Sequence, residues 1–431
     1  MIPEIEKKDP ASIRAFQEVK LEAQLLYLQR HSPYYQRLFR ENNLAFSDIK
    51  SLDDLVKIRV TTKSDLQRYN EDFLCIPKSE IADYVTTSGT LGEPVTIALS
   101  EKDLDRLAYN EAISLSSCGI TRESVVQLMT TIDRRFMAGM AYYLGLRKIG
   151  AAVVRVGNSI PELQWDSIQR FKPEYLIAVP SFLLKLIEFA QQHNIDYKNS
   201  GIKGVVCIGE SLRNAELQPT LLTQKINALW DLPLYSTYAS TEMGTAFTEC
   251  EFFSGGHHHP ELIIAEIVDE NDHPVADGQS GELVITHLGV EAMPLLRFKT
   301  GDIVTSYTAP CGCGRNTLRI GPVLGRKEHL IKYKGTSIYP SALSDLLNSY
   351  PGVELHVIEV FTNVIGTDEI VIKMASSNPT DDLRKEIEDH FRAKIRVVPT
   401  LEWLSVEALK KIVWPAMSRK PVTFIDRREK L

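Results

Sequence analysis

The sequence predicts an α/β protein: a large N-terminal α/β domain with a β-rich subdomain, then a small α+β C-terminal domain. Three textures carry that prediction. From Val125 to Tyr238 short β-like runs alternate with helical ones, the pattern of a mainly parallel sheet covered by helices. After Glu249 apolar and polar residues alternate as in antiparallel strands. From Arg326 on, strands and a helix follow one another closely, which divides the chain into residues 1–325 and 326–431.

The stretch up to residue 80 reads as helical, with apolar positions at helical spacing from Ile13 to Leu28. The β-like runs are Val125–Met129, Ala151–Val156, Tyr175–Val179 and Val205–Ile208, separated by helical stretches such as Phe182–His193. Leu262–Val268 and Glu282–His287 alternate, with the turn-rich Asn271-Asp272-His273-Pro274 between them. In the last unit His356–Phe361 and Glu369–Met374 read as strands and Asp381–Ala393 as a helix. The sequence shows no internal repeat and no low-complexity segment.

A chain of 431 residues can bury a large core over two or three domains. Its 44% hydrophobic and 24% charged residues are ordinary for a soluble globular protein. The net charge of −7 comes without any basic block, which argues against nucleic acid or an anionic membrane as partner. Met1 to Asp9 is polar and acidic, unlike a signal peptide, and no run approaches the roughly 20 apolar residues of a membrane span. The expectation is a cytoplasmic protein. Six cysteines are too few and too unevenly spaced for a secreted disulfide framework, and Cys75, Cys118 and Cys207 are expected to pack.

Tyr84 to Pro94 reads YVTTSGTLGEP. Its hydroxyls and glycines can wrap donors around phosphate oxygens, because glycine lets the main chain approach closely. It lacks the Gly-Lys-Ser/Thr ending of the common nucleotide loop and the Gly-x-Gly-x-x-Gly dinucleotide turn. Alone, such a loop is more often a solvated connection. Three segments follow in order: Tyr238-Ala239-Ser240-Thr241-Glu242, then Phe298-Lys299-Thr300-Gly301-Asp302, then Gly325-Arg326 leading to Lys334-Gly335 and Pro340. The four together resemble the motifs of the adenylate-forming superfamily. His31–Tyr35, Thr61–Leu66 and the ending Lys420–Arg427 are similar to signatures of its phenylacetate–CoA ligase-like group.

That resemblance implies the adenylate-forming fold with a mobile C-terminal domain, and it implies roles. Thr87, Ser88, Gly89, Thr90 and Gly92 would hold the β- and γ-phosphates of ATP, although Leu91 and Glu93 stand where relatives carry threonine and lysine. Glu242 would bind Mg²⁺ and Thr241 would touch phosphate. Tyr238 would stack on adenine beside Ala239 and Ser240. Asp302 would accept the ribose hydroxyls, a task that suits carboxylate oxygens, and Arg326 would reach the ribose. Phe298 and Lys299 replace the tyrosine and arginine of many relatives. Glu328 stands at the hinge, and Lys420 would meet the developing charge during adenylation. Gly209 and Glu210 would border the nucleotide and the acid. Phe136, Gly139, Tyr142 and Tyr143 would line an acid pocket better suited to an aryl or short acid than to a long chain.

Cys250, His257, Cys311 and Cys313 form a second constellation, because three thiols and an imidazole suit tetrahedral Zn²⁺. The same order occurs in some members of the resembled group and implies a structural clasp, with His258 and His259 left open as alternatives to His257. The implied activity is that of an ATP-dependent carboxylate–CoA ligase, with ATP, Mg²⁺, coenzyme A and structural Zn²⁺ as cofactors. Its partners would be a small carboxylic acid and CoA, and a homodimer is among the expectations. Competing readings are an adenylating enzyme serving a carrier protein or an amine, an adenylyltransferase, and a non-catalytic nucleotide-binding homologue.

Overall fold

The computed structural model describes residues 1–87, 95–333, 336–348, 350–363, 367–415 and 421–428. The chain divides into two compact units, Met1–Val323 and Leu324–Leu431.

The first unit is organised by one mixed sheet. Its parallel half pairs Ala152–Arg155, Val125–Leu128, Tyr175–Ala178, Gly204–Ile208 and Leu234–Ser240 in that spatial order. Helices cover both faces, so these strands read as continuous apolar runs, and every residue of Gly204–Ile208 is buried. Leu234–Ser240 is the pivot. Its other edge pairs antiparallel with Thr245–Thr248, and antiparallel pairing continues through Gly256–His257, Arg319–Ile320, Phe298–Tyr307, Ser280–His287 and Ile263–Val268.

Helix Pro10–His31 is capped by Asp9, which accepts from the Ser12 amide, and helix Pro33–Glu41 is capped by Ser32. Leu21, Leu28, Tyr35 and Phe39 of these helices join Ile285 and Phe298 of the antiparallel half in one core. Beyond Glu41 the chain departs from the helical reading. Short 3-10 turns and helix Lys63–Arg68 replace a long helix, because the Asp54 and Asp65 carboxylates accept from the Ser51 and Thr62 amides and Thr62 Oγ1 accepts from the Asp65 amide. A hairpin of Asp83–Thr86 and Thr96–Leu99 follows. Among the described residues no helix is long and apolar enough to cross a membrane.

The second unit holds a four-stranded sheet ordered Thr400–Trp403, Asp368–Ala375, Leu355–Thr362, Phe424–Asp426. Helices Pro340–Asn348, Asp381–Ile395 and Val406–Val413 accompany it. Leu343, Ile358, Ile372 and Phe391 lie in its core.

Helices Glu101–Ser117 and Met137–Ile149 of the first unit cross closely because Gly145 has no side chain: a Cβ there would lie 2.3 Å from that of Glu111. Glu111 is buried. Its Oε1 accepts from Asn110 at 3.1 Å, while Oε2 finds no hydrogen-bond partner among the described residues. Burial pushes this carboxyl up to about 8 from its ordinary 4.5. The folded protein therefore keeps a proton that the unfolded chain releases, and stability attributable to this group falls as pH rises between those values. The slope is about 1.4 kcal/mol per pH unit. Glu111→Gln removes the titration, so its melting temperature should gain on the parent's from pH 5 to pH 8. A pH-independent difference would contradict a neutral buried acid.

Candidate active site

The pivot strand ends at Ser240, and Thr241, Glu242 and Gly244 turn the chain back into Thr245–Thr248. Two groups fix this turn. The guanidinium of Arg106 donates to the Gly244 carbonyl at 2.9 Å, to Thr245 Oγ1 at 3.3 Å, to the Leu288 carbonyl at 3.1 Å and to the Leu262 carbonyl. His287 Nδ1 accepts from the Leu295 amide at 3.0 Å, so Nε2 carries the hydrogen and donates to the Met243 carbonyl at 2.9 Å. Burial pushes the His287 pKa down to about 3, which keeps that tautomer neutral.

Around the turn the predicted nucleotide residues gather. Tyr238 Oη donates to Asp302 Oδ2 at 2.7 Å, and its ring lies 18° from that of Phe247. Gly301, at φ +78°, bends the chain so that Asp302 can reach back, while Thr300 Oγ1 accepts from the Asp302 amide at 3.1 Å. Lys63 Nζ stands 3.1 Å from Glu242 Oε1. In the sequence Lys63 is only part of the Thr61–Leu66 signature, and nothing there points to this meeting. Lys299, by contrast, is held by Asp272 and by Glu282 at 3.4 Å. A cavity of about 20 Å³ is bordered by Ile97, Leu99, Met137, Thr241, Glu242 and Met293. It brings the hairpin base, the start of the predicted acid helix and the turn together.

Thr87 closes the hairpin: its amide donates to the Val95 carbonyl and its Oγ1 accepts from the Val95 amide, both at 3.0 Å. Ser88, Gly89, Thr90, Leu91, Gly92, Glu93 and Lys420 lie outside the described residues. Gly209 has φ +77°, and Glu210 accepts from the Ser181 amide at 2.8 Å and its hydroxyl at 2.7 Å, bracing helix Pro180–Gln192. Ala239 is exposed, and Ser240 Oγ accepts from the Met243 amide at 3.2 Å. Phe136 precedes helix Met137–Ile149, and the Thr86 amide donates to the neighbouring Arg135 carbonyl at 3.0 Å. Gly139 has a packing reason to be glycine, because a Cβ would fall 1.8 Å from the Thr131 carbonyl oxygen. Tyr142 is buried among Leu115, Leu128 and Leu146, whereas Tyr143 is half-buried under the Arg155 guanidinium. Arg326 belongs to the second unit, where the Glu328 carbonyl accepts from Arg428 at 2.8 Å.

Cys250, His257, Cys311 and Cys313 come together, with one ligand atom of each within 4.8 Å of the others. Cys250 and Cys311 sulfurs are 3.6 Å apart, and His257 Nε2 lies 3.4 Å from Cys250 and 3.6 Å from Cys313. A tetrahedron with Zn–S of about 2.3 Å and Zn–N of about 2.0 Å has edges of roughly 3.5–3.8 Å, so the donor set fits. His257 turns Nε2 inward because Nδ1 faces Thr317 Oγ1 at 3.2 Å. The other two histidines are engaged elsewhere: His258 with the Ile263 carbonyl, and His259 with Glu6 and Ser114.

The sequence pattern of AMP-binding enzymes matches residues 36–292, more than half of the chain. The chain belongs to the AMP-binding enzyme family. Its relatives include the phenylacetate-coenzyme A ligase of Thermus thermophilus, 28% identical over 382 residues, which are 88% of this chain and 84% of that one. The phenylacetate-coenzyme A ligase of Escherichia coli is 26% identical over 357 residues, covering 82% and 80%. A 2-hydroxyisobutyryl-CoA ligase crystallised with its acyl-AMP shares the fold, with a TM-score of 0.85 over 98% of this chain and 91% of that one at 22% identity.

In this AMP-binding family member the cysteine cluster adjoins a buried ion network that the sequence did not reveal. Arg315 donates through Nε to Cys313 Sγ at 3.3 Å and through Nη1 to Glu6 Oε2 at 3.3 Å, and Glu6 also meets His259 Nδ1 at 2.7 Å. Burial alone would raise the Glu6 carboxyl, yet His259 and Arg315 hold it below its ordinary value. Removing one partner of such a network leaves a buried charge uncompensated, at a cost of about 3–5 kcal/mol. Glu6→Ala should therefore shift the urea midpoint of unfolding strongly downward. A change of under about 1 kcal/mol, the scale of an exposed pair, would show that Glu6 is not buried as described.

Proposed function

We propose that this protein is an ATP-dependent acid–CoA ligase that works through an acyl-adenylate, with an aryl or short carboxylic acid as substrate. The observation that carries the reading is the Tyr238–Asp302 bond beside the Thr241–Glu242 turn, which unites two separate motifs at one strand end. Family membership and phenylacetate-coenzyme A ligases among the relatives support it.

In the first half-reaction a carboxylate oxygen attacks the α-phosphorus, a bond to the acid forms, and the bond to pyrophosphate breaks. Tyr238 and Asp302 hold the nucleoside, while Thr241 and the loop from Thr87 onward bind phosphate. Glu242 and neighbouring hydroxyls are hard oxygen donors of the kind Mg²⁺ prefers. Mg²⁺ held there would supply neutralisation of phosphate charge. In the second half-reaction the CoA sulfur attacks the acyl carbon, AMP leaves, and the thiol proton passes to solvent. Lys420 is assigned to adenylation, Arg326 to the ribose, and the two-unit division to a turn of the small domain between steps. Phe136 and Tyr143 are assigned to the acid pocket. We place the enzyme in the cytoplasm, where its cysteines, none of them in a disulfide, would remain reduced.

Acid-dependent exchange of labelled pyrophosphate into ATP, surveyed over aromatic, hydroxy and short aliphatic acids, tests the first half-reaction. Exchange with an aryl or short acid, followed by AMP and acyl-CoA formation on adding CoA, is the expected outcome. No exchange across the panel sinks the proposal, and exchange without thioester redirects it to another acceptor.

Zn²⁺ is assigned to the Cys250, His257, Cys311, Cys313 cluster in a structural role, since four protein ligands leave no open position. Metal analysis should find close to one zinc per chain. Chelation or Cys311→Ser should lower the melting temperature by roughly 5–10 °C. Full stability in zinc-free protein would refute the clasp.

A further inference from the structure

We propose that Lys63 is a catalytic cation of the adenylation site, fixed to the large unit and acting in both half-reactions; this rests on the ligase reading above. The starting point is the ion pair of Lys63 with Glu242 at 3.1 Å. Both side chains are partly sheltered, at 26% and 11% exposure, so the pair sits at the wall of the site rather than in open solvent.

Local structure does not explain a lysine there. Lys63 is the first residue of helix Lys63–Arg68, the end of a helix that favours anions over cations. Departures from local preference of this kind are expected at functional positions. The backbone beneath it is anchored with care. Thr61 is fully buried, its amide donates to the Arg297 carbonyl at 2.9 Å, and its carbonyl accepts from the Lys299 amide at 2.8 Å. Its hydroxyl donates to the Leu296 carbonyl at 2.9 Å and meets Tyr35 Oη at 3.1 Å. Thr62 and Asp65 close a capping box on the next turn. The segment is thereby stitched to the strand that carries Asp302, and Lys63 is delivered to the Glu242 turn.

The charge inventory explains why it is needed. A triphosphate and a carboxylate must meet in a site whose phosphate loop has Glu93 where relatives carry lysine. Lys299 is committed to Asp272 and Glu282, and Arg106 to backbone carbonyls and a hydroxyl. Lys63 directs its ammonium at the carboxylate assigned to the metal. In the resting site it neutralises Glu242. With nucleotide present it turns to the α-phosphate and the acid's carboxylate oxygen, where negative charge grows. It moves no proton. As carboxylate oxygen bonds to phosphorus and pyrophosphate departs, Lys63 stabilises the equatorial oxygens. As sulfur bonds to the acyl carbon and AMP departs, it stabilises the same phosphate as leaving group.

The competing account is a purely structural pair that ties the N-terminal segment to the turn. Lys63→Gln and Lys63→Arg, with Lys420→Ala as comparator, separate the two. Nucleotide affinity is read by titration with ATP, adenylation by pyrophosphate exchange, and the second step by thiolysis of a supplied acyl-adenylate. Lys63→Gln should slow both steps roughly 100-fold, the scale of a lost charge-stabilising donor. It should also weaken ATP binding while leaving the melting temperature of the free protein nearly unchanged. Lys63→Arg should recover part of each rate, and Lys420→Ala should slow adenylation only. If the parent protein exchanges pyrophosphate but Lys63→Gln does so within two-fold of it, Lys63 is not catalytic. A lowered melting temperature with intact rates overturns the proposal in favour of the structural pair. No exchange by the parent removes the ligase reading itself, and Lys63 with it.

Discussion

Arg106 is the group on which the geometry of the turn depends. Burial costs an arginine its hydration, and here it lowers the pKa to about 10, still well on the charged side of neutrality. The charge is met by carbonyl dipoles drawn from positions up to 182 residues away in sequence. It has two companions on its own helix. Asp103 accepts from the Glu291 and Ala292 amides at 2.8 and 2.9 Å, and Asn110 accepts from the Ala246 amide at 3.2 Å. Positions 103, 106 and 110 share one helical face. Helix Glu101–Ser117 thus presents a polar stripe that grips the chain just after Thr241 and Glu242, at Gly244, Thr245 and Ala246, together with the segments at Leu262 and Leu288–Ala292.

Such a grip matters because electrostatic catalysis gains from dipoles and charges that need no rearrangement when the reaction occurs. A turn whose carbonyls are already bound by Arg106 and His287 holds Glu242 in place even when the charge around it changes. The aromatic side of the site follows the same logic. Tyr238 is backed by Phe247 and tied to Asp302, so the groups assigned to base and ribose move as one piece.

Much of this fold was legible, for identifiable reasons. The parallel strands are short β-branched runs buried on both faces, so Val205-Val206-Cys207-Ile208 could scarcely read as anything else. Helix Phe182–His193 was legible by its apolar spacing, and it begins earlier, at Pro180, because proline suits the first helical turn. The motif residues Tyr238, Thr241, Glu242 and Asp302 were legible through resemblance, and the structure gathers them at one strand end. Lys63, Arg106 and Glu6 were not. Each is a charged residue that looks solvent-facing in isolation, and its partners lie about 140 to 310 positions away. Periodicity reports only which face of an element is apolar, and it carries no information about which distant carbonyl or carboxylate will meet a charge.

The position of the cysteine cluster follows from the weakest part of the sheet. Between the pivot strand and the long strand Phe298–Tyr307 lie Thr245–Thr248, Gly256–His257 and Arg319–Ile320, the last two only two residues long. Strands that short contribute few ladder hydrogen bonds, and Thr248 pairs with His257 through a single register position. Yet this seam sets the distance between Tyr238 on one side and Asp302 on the other. Cys250 leaves the first of these strands, His257 lies within the second, and Cys311 and Cys313 precede the third. With the proposed Zn²⁺ bound, four donors drawn from the flanks of the seam would supply the cross-link that the backbone lacks. Arg315 and Glu6 then tie the N-terminal segment to the same point. A clasp at this place would do no chemistry on the acid or the nucleotide. It would keep two halves of a sheet, paired in different senses, close enough for one tyrosine to reach one aspartate.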